Sequence, residues 1–149
     1  MKDLKGRLDI YGRFGCLILS AEQAKAHKPE PGSVLIRIAD CYFDQLKWGD
    51  LYVAILKSTF ADIDAPHAYE EMMTEDQASE IAGFLRRHSH RKLVIHCFAG
   101  ISRSSAVATA WARMHGNQQL EAAIATSPIF YPNPHVLSLV TEALRIGIR

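Results

Sequence analysis

Cysteine is scarce in this chain: three occur in 149 residues, at positions 16, 41 and 97. An odd number without regular spacing argues against a disulfide framework and for a reducing compartment. An excess of either charge is also missing. The 17 Lys and Arg stand against 16 Asp and Glu, so no nucleic acid and no anionic membrane is expected as a bulk partner. No apolar run is long enough to span a bilayer, and no signal-peptide pattern or lipidation motif stands at either end. These absences lead to the expectation of a soluble, cytoplasmic protein. His88 and His90 lack the partner pattern of a metal site, so no metal and no cofactor are expected. Internal repeats and low-complexity tracts are absent as well.

What is present suits one ordinary core. Apolar residues make up 48% of the chain, and the length fits a single domain over residues 1–149. Short β-branched runs predict strands at residues 7–13, 16–19, 33–39, 51–58 and 92–95. Ser20 with Gln23, and Thr74 with Gln77, have the spacing of capping boxes and predict helix starts. Asn133-Pro134 reads as an N-cap followed by a first helical position. Val136, Leu137, Val140 and Leu144 give that last helix an apolar stripe. Strands alternating with helices predict an α/β fold: a mostly parallel central sheet of four to five strands flanked by helices. Ligands bind such sheets at the carboxyl ends of the strands.

One such end carries the chemistry. Residues 92–95 form an apolar strand, and apolar residues at helical spacing (Ala106, Val107, Ala110, Trp111, Met114) follow residue 105. Between them lies His96-Cys97-Phe98-Ala99-Gly100-Ile101-Ser102-Arg103-Ser104. A tight turn from strand to helix aims several backbone N–H groups at one spot, and the helix dipole adds positive potential there. An anion is the natural occupant, with Phe98, Ala99, Gly100, Ile101, Ser102 and Arg103 as its binding residues. A cysteine so placed is expected to have its pKa lowered from about 8.5 into the range of about 3.5–7.5. Cys97 is then the nucleophile. Arg103 offers a planar fork that matches two phosphate oxygens. Gly100 permits the turn, Ser104 can stabilise the departing thiolate, and His96 can brace the loop.

The segment resembles the signature loop of the cysteine-dependent protein tyrosine phosphatases: His-Cys, five residues, Arg, then Ser or Thr. It looks most like the dual-specificity branch and its compact bacterial relatives. The larger tyrosine-specific domains are longer than this chain, and the low-molecular-weight enzymes place their cysteine near the N-terminus. The resemblance implies a general acid on an upstream loop, often after an aromatic and one spacer. Phe60-Ala61-Asp62 is similar to that pattern, which makes Asp62 the expected acid and Asp64 the reserve. It also implies a role in site support for Asn133, second to capping.

The expected function is metal-independent hydrolysis of phosphomonoesters through a cysteinyl-phosphate, on phosphotyrosine and also phosphoserine or phosphothreonine in proteins. The expected partners are a phosphorylated protein or small phosphomonoester, and a phosphate or sulfate ion in the loop. A rhodanese-like sulfurtransferase and a catalytically weak phosphate-binding module are the rivals. Redox control through Cys16 or Cys41 is a further possibility, since thiolates of low pKa oxidise readily.

Overall fold

The computed structural model describes residues 4–146. Four strands, β1 (Cys16–Ser20), β2 (Val34–Ala39), β3 (Ala54–Thr59) and β4 (Leu93–Cys97), form one sheet in the order β1-β4-β2-β3. Every pairing is parallel, so the expected α/β class holds and the sheet has the lower of the expected strand numbers. Helices α1 (Lys5–Phe14), α2 (Ala21–Ala26), α3 (Glu75–Arg87), α4 (Arg103–Met114), α5 (Gln118–Thr126) and α6 (Pro134–Ile146) flank it.

Parity along the strands decides which layer each residue joins. Ile18, Ile36, Ile38, Ile95 and Cys97 face the main core, with Ile81 and Leu85 from α3, Val107 from α4 and Val140 from α6. Helix α4 is buried from Arg103 through Ala112. Its alanines at 106, 108, 110 and 112 let the helix lie close under the sheet. Leu17, Leu19, Leu35 and Val94 face the other way, onto a smaller layer with Ala24, Tyr52 and the half-buried Leu4, Tyr11 and Leu46. Each fully buried Leu or Ile contributes roughly 1.5–3 kcal/mol.

Both capping boxes form. Ser20 Oγ accepts from Gln23 N and Thr74 Oγ1 from Gln77 N, each at 3.1 Å, and each glutamine returns a bond to the cap's own backbone. Asn117 Oδ1 caps α5 by accepting from Leu120 N at 3.0 Å.

Two expectations need correction. Residues 7–13 are helical, within α1, where a strand was expected; Arg7 and Ile10 are buried and Phe14 packs on the core, which is helical spacing. The strand expected at 51–58 begins at Ala54, because Gly49–Leu51 makes a 3-10 turn. Arg37, the one charge in β2, is only 5% exposed.

Register puts the strand ends on one line: Ser20 lies beside Cys97, Arg37 beside His96 and Ala39 beside Thr59. Cys97, Asp40 and the segment starting at Phe60 therefore leave the same edge of the sheet.

Candidate active site

The turn from β4 to α4 is a backbone cup. Among the described residues, the amides of residues 99–104 donate to no protein acceptor. Unpaired amides in a folded chain are costly unless water or a ligand meets them, and successive amides in a turn attract anions. Gly100 makes the turn possible. Its φ is +69°, and a Cβ added there would lie 2.5 Å from the Leu19 carbonyl carbon.

Neighbouring segments hold the cup in place. Arg7 of α1 donates from Nη1 to Ile18 O at 2.7 Å and to Gly100 O at 2.9 Å. Ala21 N donates to Phe98 O, Tyr131 N to Ile101 O and Asn133 N to Ser102 O, at 2.9–3.0 Å. Phe98 is 75% exposed, and Ala99 and Ile101 are exposed beside it, while Gly100 is buried.

Cys97, Ser104 and Arg103 meet inside. Cys97 Sγ lies 3.1 Å from Ser104 Oγ, and both residues are buried. Arg103 is buried too. Its Nη1 donates to Asp40 Oδ1 at 2.6 Å and to Phe60 O at 2.8 Å. Its Nε is buried without a partner among the described residues. The guanidinium is thus anchored through one nitrogen, Nη1.

The two aspartates separate clearly. Asp62 Oδ1 accepts from Ser102 Oγ at 2.8 Å and from Asn133 Nδ2 at 2.9 Å. Asp64 is exposed and makes no such contact with the loop. Asn133 bonds in two directions. Its Oδ1 accepts from His135 N and Val136 N, capping α6, while its Nδ2 holds Asp62 and the Ile63 carbonyl. His96 is buried with its Nδ1 3.3 Å from Cys97 O, and burial lowers its pKa from 6.5 to about 4.

Cavities open around the loop. One of about 510 Å³ is lined by Asp40, His96 and Phe98 among others, and one of about 570 Å³ by Asp62, Ser102 and Asn133.

No sequence-family profile and no curated protein sequence matches the chain. Solved structures do. Human DUSP28 matches with a TM-score of 0.62 at 18% identity, over 90% of this chain and 94% of that one. The human tyrosine phosphatase-like serine/threonine/tyrosine-interacting protein matches at 0.59 and 17% identity, over 91% and 94%. The chain has the dual-specificity phosphatase fold. DUSP15 matches as well, at 0.51 and 26% identity, over 95% of this chain and 78% of that one. One of these neighbours is named only as phosphatase-like, and the shared fold does not by itself fix an activity.

Three residues of the site had escaped the sequence reading. Asp40 carries a visible signal, since it directly follows a buried strand at the edge where ligands bind. Arg37 is a lone charge inside an apolar run. Arg7 gives none, because its acceptors are backbone carbonyls. Of the two other cysteines, Cys16 lies at the opposite end of the strands, in register with Leu93. At about 3.3 Å per residue, that is roughly 13 Å from Cys97. Burial raises its pKa from 9.0 to about 12, and it is not positioned to pair with Cys97. Cys41 is exposed and, like Cys16 and Cys97, unpaired. Among the described residues no helix is long and apolar enough to cross a membrane.

Proposed function

We propose that this protein hydrolyses phosphomonoesters through a cysteinyl-phosphate, with phosphotyrosine, phosphoserine and phosphothreonine in proteins as the substrate class. The observation that carries the reading is the unpaired donor set: the amides of residues 99–104 together with the buried Nε of Arg103. A phosphoryl group matches that set in charge and in number of oxygens.

The steps follow from the groups present. The Cys97 thiolate attacks phosphorus opposite the ester oxygen. An S–P bond forms as the P–O bond breaks, and the proton of the Asp62 carboxyl passes to the departing oxygen. The alcohol or phenol leaves. Asp62, now a carboxylate, takes a proton from water, and the water oxygen attacks phosphorus. The S–P bond breaks, Ser104 Oγ donates to the leaving thiolate, and inorganic phosphate departs. Asp62 is favoured over Asp64 because it already touches Ser102 of the loop. The cup and Arg103 supply the positive potential themselves, so no metal has a part in this scheme.

Substrate class is argued from the lip. Phe98, Ala99, Ile101 and Ser102 provide no cation in the loop besides Arg103. That suits a singly phosphorylated ester better than one carrying several phosphates.

The test is turnover of p-nitrophenyl phosphate in EDTA. The wild-type protein is expected to turn it over. Cys97→Ser is expected to abolish turnover while inorganic phosphate still binds. Activity surviving that substitution would remove the nucleophile assignment. Phosphate binding without wild-type turnover would select a binding module, and sulfur transfer from thiosulfate to cyanide would select the sulfurtransferase.

A further inference from the structure

Arg37 stands in the middle of β2, in register with His96 of β4. It is 5% exposed and His96 2%. The sheet face they share is otherwise built from Leu17, Leu19, Leu35 and Val94. A guanidinium in that layer is costly unless its partners are well placed. Both of its hydrogen-bond acceptors are neutral: Nε donates to His96 Nε2 at 3.0 Å and Nη2 to Asp44 O at 2.6 Å. The planar group also lies over the Phe43 ring, 5.0 Å from its centroid. A methionine would fill the space without these requirements.

A guanidinium can only donate. His96 Nε2 must then accept, and the ring proton must sit on Nδ1. Nδ1 lies 3.3 Å from the Cys97 carbonyl, so it is the donor to that oxygen. With a proton on Nε2 instead, two donors would face each other at 3.0 Å. The second bond ties the Asp44 carbonyl, at the far end of the segment opened by Asp40, the partner of Arg103.

We propose that Arg37 is a positioning residue for the phosphate-binding loop: it locks the His96 ring in the tautomer protonated on Nδ1, and so fixes the Cys97 carbonyl from which the loop departs. Through Asp44 it steadies the opposite wall as well. Its effect on turnover rests on the phosphatase reading; its hold on the ring does not.

The test joins ring nitrogen-15 NMR of His96, in protein labelled at histidine, to steady-state kinetics on p-nitrophenyl phosphate. His96 is assigned by comparison with His96→Asn. Wild-type protein at pH 7 is expected to show the Nδ1–H tautomer. Arg37→Met is expected to lose that tautomer preference and roughly 10- to 100-fold in kcat, the scale of a small misplacement of reacting groups, with KM changed far less. Arg37→Lys keeps the charge but has no Nε–H, and is expected to lose the preference too. It serves in place of Arg37→Met if that variant fails to fold by circular dichroism. A wild-type ring protonated on Nε2 overturns the proposal, and so does a folded variant whose tautomer or kcat matches wild type. If the wild-type protein turns over no ester, the phosphatase reading fails alone. The ring spectrum and the affinity for inorganic phosphate then decide the role of Arg37 by the same comparison.

Discussion

Asp62 presents its two carboxylate oxygens differently. Oδ1 is taken by Ser102 and Asn133, so in the proposed mechanism Oδ2 is the atom that exchanges a proton with the ester or with water. A residue acting as general acid matters most when the departing oxygen is basic. Asp62→Asn is therefore expected to cut turnover of phenyl phosphate roughly 10²- to 10⁴-fold, the usual range for such catalysis, and that of a substrate with an acidic phenol far less. Rates across a series of substituted phenyl phosphates check this; a uniform loss would move the acid to Asp64. At the same scale, lysine could replace the charge of Arg103 but not its geometry. One nitrogen is bound to Asp40 and Phe60 while Nε has no partner among the described residues, and a point charge cannot hold both arrangements.

Helix α6 owes its start to the residue that also restrains Asp62. Asn133 caps through Oδ1 and holds Asp62 through Nδ2. Serine can cap but cannot reach as a second donor. Asn133→Ser should thus cost about 1 kcal/mol or less in stability, while turnover on a poor leaving group falls toward that of Asp62→Asn. Urea unfolding alongside the kinetics separates the two roles. Elements such as this one were legible in the sequence because cap and stripe are local signals: Asn133-Pro134, Thr74 with Gln77, and the run into Cys97 each sit within a few residues. The first helix was not legible. Leu8 and Ile10 alternate as a strand would, and Gly6, Gly12 and Gly15 obscure the spacing of Arg7, Ile10 and Phe14, one of whose inward members is charged. Asp40 and Arg37 escaped for another reason: their partners lie 63 and 59 residues away, and only the parallel register brings them together.

At the scale of the whole molecule, buried ionisable groups set the pH range of stability. The pKa of His96 is depressed from 6.5 to about 4 by burial, so between those values the unfolded chain binds a proton that the folded chain refuses. Stability is expected to fall as pH drops from 6.5 toward 4, by on the order of 3 kcal/mol, and to gain nothing further from this group outside that window. On the alkaline side, burial raises Cys16 from 9.0 and Tyr52 from 10.0, each to about 12. The unfolded chain ionises them first, so stability falls again as pH climbs past about 9. Urea midpoints from pH 4 to 11 check both limbs, and His96→Asn should flatten the acid one. The Arg7 guanidinium, bonded at once to Ile18 O in a strand and Gly100 O in the cup, sets an order of events on warming. Helix ends peel before sheets melt, so when the first helix lifts away it withdraws a prop from beneath the turn after Cys97. The proposed activity should therefore fade ahead of the cooperative transition, and heat inactivation would report the grip of one terminal turn rather than the strength of the core.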